Sequence, residues 1–195
     1  FYTSWDSNAL RLTWTGSSWS TDGDLFIYLD TGAGGATSLY NPFGTGETIG
    51  LPVGMNANKL VHVATDSTAT LLSWDGANWI VDQPLTPAQF QGDVGQTDFY
   101  LPFALLGVNS STPLKLMAVA SENNALRLWA AAPDKNPLNS DWVANPSEMN
   151  LDVFGLTNAF EFGSLTAGIQ PNNNQIGGSN LQVSIAANAT GISVG

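Results

Sequence analysis

The sequence predicts an all-β protein: an antiparallel β-sandwich, jelly-roll-like, with room for one short helical turn. Three observations carry this. Apolar residues recur with period two in about nine or ten short runs. Gly, Asn, Asp and Pro separate those runs. Helical signals are confined to isolated turns. A closed barrel is the other all-β answer that the pattern admits.

The elements follow in order. Ala9 to Trp14 alternates, with Leu10, Leu12 and Trp14 on one face. Leu25 to Leu29 is apolar on both parities, as a central strand buried on both sides requires. Lys59 to Ala64 is a third strand. Thr70 to Trp74 runs into Asp75-Gly76, a tight-turn signal, and returns through Trp79-Ile80-Val81. Asp98 to Leu101 is another strand. Leu114 to Ala120 and Ala125 to Ala130 form a hairpin about Glu122-Asn123-Asn124. Phe160 to Phe162 and Leu181 to Ile185 complete the series. Pro102 to Gly107 reads as one helical turn, with Pro at its start and Gly at its end. Thr86 to Phe90 is a second such candidate.

Two long loops stand out, Thr31 to Thr48 and Ala131 to Leu151. Loops of that length are usually functional or packed on themselves. A faint internal echo also appears. Asn8-Ala9-Leu10-Arg11-Leu12 recurs as Asn124-Ala125-Leu126-Arg127-Leu128, and Trp14 to Trp19 as Trp74 to Trp79. The spacing is unequal, so this is no solenoid. The Trp pairs are expected to face each other across adjacent strands.

Composition bounds the function. A chain of 195 residues can enclose one sizeable core, and residues 1–195 are read as a single domain. Charged residues are 11%, against about 25% in ordinary soluble domains, so Ser, Thr, Asn, Gln and Gly must supply the polar surface. The formal charge is −11, and the five bases do not cluster. Nucleic acid, which needs a face of cations, is excluded as a partner. An anionic membrane surface is disfavoured likewise, and no run reaches the ~18 apolar residues of a membrane helix. Cations, neutral sugars and apolar ligands stay compatible. Cysteine is absent, which removes disulfides, thiolate metal sites and cysteine nucleophiles. Together with abundant Thr, Asn and Gly, this points to an exported protein. The chain opens at Phe1 in a strand-like pattern and stops at Gly195 just past another. A fragment of a larger extracellular or cell-surface protein, with neighbouring domains, is therefore expected.

The candidate metal ligands are Asp22, Asp24 and Asp30. Asp24 and Asp30 bracket one strand and stand roughly 20 Å apart at ~3.3 Å per residue, so they cannot share an ion. Asp22 with Asp24, or Asp30 with the following loop carbonyls, would each offer hard oxygens to Ca²⁺. The competing reading makes Asp22-Gly23 a turn and Asp24 a strand cap. Asp134, Asn136, Asn139 and Asp141 form a second oxygen-rich patch under the same two readings. Seven Trp are many for this length. Trp14, Trp74 and Trp129 lie in strand patterns and are read as core. Trp19, Trp79 and Trp142 flank turns or loops. With Tyr40 of the first long loop, they are the candidate ligand-binding aromatics, offering flat faces to sugar C–H groups. Core packing is the competing reading for each.

Catalytic signals are lacking. His62 is the lone histidine and sits between Val61 and Val63 in a strand, so it is read as a packed or surface residue. No Gly-x-Ser-x-Gly elbow accompanies it, and nothing in the sequence joins it to Met55, Met117 or Met149 as a haem pair. Glu47, Glu122, Glu148 and Glu161 occupy no recognisable glycosidase frame. The chain is read as not an enzyme.

The runs Asp6 to Trp14 and Asp22 to Thr31 resemble the opening hairpin and following strand of DOMON-like and family 9-like carbohydrate-binding β-sandwiches. Leu101 to Gly107 resembles the segment before their closing strands. The resemblance spans residues 1–130 and rests on pattern. It implies an extracellular sandwich that binds sugars or small ligands or links larger modules. Some of those domains hold a structural calcium near acids at positions like Asp22, Asp24 and Asp30, so the resemblance makes Ca²⁺ a candidate there. The haem-ligand pair and the sugar-sandwiching aromatic pair of those domains have no identifiable counterpart here. The leading expectation is a carbohydrate-binding-like module. Its rival is a structural spacer, adhesin or surface-fibre subunit.

Overall fold

The computed structural model describes residues 1–44, 48–133, 136, 138–139, 160–162 and 168–170. The strands in chain order are β1 (Tyr2–Trp5), β2 (Ala9–Thr15), β3 (Asp24–Asp30), β4 (Lys59–Val63), β5 (Ala69–Trp74) and β6 (Trp79–Pro84). They continue with β7 (Phe90–Asp93), β8 (Gln96–Pro102), β9 (Leu114–Ser121), β10 (Leu128–Ala132), β11 (Phe160–Phe162) and β12 (Gly168–Gln170). Among the described residues two single-turn helices, α1 (Trp19–Asp22) and α2 (Phe103–Leu106), interrupt them.

The strands make two antiparallel sheets. One has five strands in the order β12-β1-β2-β8-β7. The other runs β10-β9-β3-β4-β5-β6, with β11 also paired to β9. β10 and β11 share one edge of β9, the first against Ala118–Ser121 and the second against Leu114–Leu116. The sheets face each other. Leu10, Leu12 and Trp14 of β2 and Phe99 and Leu101 of β8 meet Leu25, Ile27 and Leu29 of β3 and Val61 and Val63 of β4 in one core. Burying each such side chain stabilises by about 1.5–3 kcal/mol. The predicted sandwich is thus the observed fold.

β3 is apolar on both parities because it has a second core behind it. Phe26 and Tyr28 point away from the facing sheet and pack with Leu39, Ile49, Leu51 and Met55. Leu39 comes from the first long loop and the other three from the segment that follows it, and together residues 31–44 and 48–58 fold back across the sheet as a strap. Isolated bridges Ala36↔Ala57 and Ser38↔Gly50 close it on itself. Gly35 permits the closure, because at φ +144 a Cβ there would lie 2.2 Å from the Asn56 carbonyl oxygen. The strap is pinned where the Tyr40 N–H donates to the buried Tyr28 hydroxyl at 2.8 Å. Burial pushes that phenol far above its ordinary pKa, so it stays neutral. Tyr28→Phe is expected to cost about 1–2 kcal/mol in urea unfolding, since it orphans the Tyr40 N–H.

Several local expectations shift. β1, β7 and β12 are short, and only their pairing partners make them strands. β10 starts at Leu128 and not at Ala125, with a bulge between Leu128 and Ala130. The preceding turn is closed by Glu122 N–H on the Arg127 carbonyl at 2.8 Å. The Thr86 region forms one bonded turn, with the Gln89 and Phe90 N–H groups on the Thr86 carbonyl at 2.8 and 3.0 Å, and α2 ends at Gly107 in the left-handed region. Leu181 to Ile185 lies outside the described residues.

Candidate functional site

Period two decides what the five-stranded sheet shows to solvent. Leu10, Leu12 and Trp14 turn inward on β2, so Arg11, Thr13 and Thr15 turn outward. Thr97, Phe99 and Leu101 turn inward on β8, leaving Gln96, Asp98 and Tyr100 outward. The register aligns these into rows. Ser4, Arg11 and Tyr100 are successive cross-strand neighbours. So are Tyr2, Thr13, Asp98 and Gln91. The turn at Ala88 and Gln89 rises beside them and leaves a hollow of about 380 Å³.

Asp98 organises the second row. It accepts the Thr13 hydroxyl at 2.6 Å and the Gln96 amide at 2.7 Å. In the first row the Arg11 guanidinium stands over the Tyr100 ring, 4.6 Å from its centroid. Arg11 also pairs with Asp6 at 3.2 Å. Asp6 is fixed in turn by the Asn8 and Ala9 N–H groups at 2.7 and 3.0 Å. The Asn8 N–H does most to hold the Asp6 carboxyl below its ordinary value. Slight desolvation opposes it, and the Arg11 bond and charge and the Ala9 N–H assist. The hollow is therefore lined by three aromatic residues, Phe90, Phe99 and Tyr100, by several hydroxyl and amide groups, and by the Arg11 guanidinium, which Asp6 holds from the neighbouring turn.

The aromatics expected at a binding site lie elsewhere. Trp19 is a correction: it is 3% exposed, and its indole N–H donates to Thr97 at 2.7 Å. It packs on Trp14 at 6.0 Å and has no face to offer a ligand. The reason is α1, a turn invisible to periodicity, which tips Trp19 into the core. Trp79 is half-buried against Tyr28 and its cross-strand partner Trp74. Trp74 and Trp79 thus face each other as the echo predicts, whereas Trp14 and Trp19 meet without being strand neighbours. Tyr40 is half-buried in the strap, edge-on to His62. Trp142 lies outside the described residues.

The three acids are not brought together. Asp22 accepts the Ser18 N–H at 2.6 Å, closing α1. Asp24 accepts from Thr65 and pairs with His62, each at 2.7 Å. Asp30, at the far end of β3, accepts the Asn56 N–H at 3.0 Å and ties down the strap. Among the described residues no group of three metal-binding side chains forms. In the second patch, Asn139 is buried and accepts the Leu128 N–H at 2.5 Å, replacing a ladder bond beside β10. Asn136 bonds the Pro133 carbonyl. Asp134 and Asp141 lie outside the described residues.

Sequence reasoning missed three side-chain constellations. His62 stacks face-on upon Phe26, with centroids 4.6 Å apart, while Asp24 holds its Nε2. Lys59 donates to Ser73 at 2.5 Å and to Asp82 at 2.9 Å, and Ser73 bonds Asp82 as well. Desolvation pushes the Asp82 carboxyl up, but the Ser73 and Lys59 bonds and the Lys59 charge together bring it below its ordinary value. With its ammonium hydrogens turned to these acceptors, Lys59 ties three strands together. The third is the Arg11–Tyr100 pair. Each joins residues on neighbouring strands, so strand order was the missing signal.

Comparison with family models, with curated proteins and with solved structures finds no match to this chain.

Proposed function

We propose that this chain is a non-catalytic extracellular binding module that takes a neutral glycan on the outer face of its five-stranded sheet. One observation carries the reading: the hollow sets the Tyr100 ring beside Asp98, Thr13, Gln91 and Ser4 on adjacent strands. A pyranose has apolar C–H patches and a rim of hydroxyls. It needs a flat apolar partner and nearby groups that donate and accept. Rigid strands hold such groups with little ordering cost on binding. The charge of −11 disfavours polyanionic glycans. The resemblance to carbohydrate-binding sandwiches and the cysteine-free, charge-poor composition support the same class and an exported location.

Affinity gel electrophoresis with soluble β-glucan, xylan and starch tests the proposal. Retardation by at least one is expected, and Tyr100→Ala should weaken it about tenfold or more, the equivalent of ~1.4 kcal/mol. A folded protein that runs freely through every gel would sink the reading and favour the spacer or adhesin alternative.

A further inference from the structure

We infer that Arg11 is a displaceable cover on the Tyr100 ring, so that a sugar reaches that ring only when the guanidinium swings aside. The inference rests on the glycan-binding reading. Arg11 and Tyr100 are direct cross-strand partners. With the guanidinium carbon 4.6 Å from the ring centroid, the cation occupies the volume that a stacked pyranose would need. A sugar and the guanidinium therefore compete for one face.

The cover is built to move. The Arg11 and Asp6 side chains are 54% and 44% exposed, so solvent meets the pair on its open side. Asp6 does not move with Arg11, because the Asn8 and Ala9 N–H groups anchor it in the turn between β1 and β2. The guanidinium can leave the ring and keep its ion pair. Displacement then gives up only an exposed cation–π contact, a weak interaction that a sugar can overcome. Apparent affinity falls by the fraction of molecules in which the ring is covered. The ligand class narrows accordingly to pyranoses with a flat C–H face, as in gluco- and xylo-configured chains, because only such a face replaces what Arg11 covers.

The test is calorimetric titration of wild type, Arg11→Ala, Arg11→Lys and Tyr100→Ala with cellohexaose, xylohexaose and maltohexaose. Tyrosine ring signals are followed by NMR, with Tyr100→Phe assigning the relevant one. Circular dichroism establishes that each variant is folded. Arg11→Ala should bind about threefold to fivefold tighter than wild type, the gain that an exposed cation–π contact implies. Arg11→Lys, which keeps the charge and loses the planar stack, should fall between them. Tyr100→Ala should not bind. In the free protein the Tyr100 ring signal should shift in Arg11→Ala, and in wild type it should shift on adding sugar. If Arg11→Ala binds no tighter than wild type while Tyr100→Ala still loses binding, Arg11 is no cover and the glycan reading stands. If no hexaose produces heat or moves the Tyr100 signal in either wild type or Arg11→Ala, the glycan reading fails and takes the cover with it.

Discussion

Gly23→Ala should destabilise the fold by about 3 kcal/mol or more, at the upper end of single-substitution effects. Gly23 joins α1 to β3 at φ +106. A Cβ there would stand 2.0 Å from the Ser121 carbonyl oxygen, 2.8 Å from the Glu122 carbonyl carbon and 3.0 Å from the Asn123 nitrogen. All three are backbone atoms at the end of β9, and none can rotate away. Relief requires the 22–24 segment to part from the 121–123 segment. That would disturb the Trp129 indole, whose N–H is shared between the Asp22 and Ser121 carbonyls at 2.9 and 3.1 Å. It would also strain the Thr65 bonds to Asp24 and Asn123. Gly76 is the natural control. It has the same φ of +106, yet a Cβ there meets nothing within 4 Å. Gly76→Ala should therefore show only the backbone cost, about 1–2 kcal/mol. Urea unfolding of the two variants separates conformational strain from collision. Equal losses would mean that the close approach at Gly23 does not exist.

Trp19→Ala should cost about 3–5 kcal/mol, the range for truncating a large buried aromatic. The ring is 3% exposed and is one of a packed chain in which Phe1 meets Trp14 at 5.9 Å and Trp14 meets Trp19 at 6.0 Å. Its loss also leaves the fully buried Thr97 hydroxyl without the indole donor. Trp19→Phe fills more of the space and should recover a large part of the loss, the remainder being about 1–3 kcal/mol for the missing hydrogen bond. Function discriminates further. Per folded molecule, Trp19→Ala should retain glycan as wild type does, whereas Tyr100→Ala should lose retention with little change in stability. A Trp19→Ala protein of near-native stability that no longer bound sugar would reverse both assignments.

The site was less legible than the scaffold. Arg11 and Tyr100 lie 89 positions apart (100 − 11), and each reads in the sequence as an ordinary outward strand residue. Thr13 and Asp98 are the same case. Trp is large and rare, traits that suit a ligand platform and burial alike, and Trp19 lies in the core. Asp22, Asp24 and Asp30 stand close together in sequence around one strand. A strand separates its ends and its faces, so each acid found a different partner. His62 sits in β4 stacked on Phe26, and its Asp24 partner depends on β3 and β4 lying side by side.

By itself the sequence determined the strands with strong alternation, the two-faced burial of β3 and the predominance of strands among the described residues, because those follow from which residues repel water and at what interval. It also placed the Asp75-Gly76 turn and the end of α2 at Gly107, because turn chemistry is local. Tertiary structure alone decided that β2 pairs with β8, that the connection between β3 and β4 becomes the strap over Phe26 and Tyr28, and that Tyr100 lies beneath Arg11. Strand order is a choice among many pairings of similar local energy. It is settled only when all the faces must be covered at once.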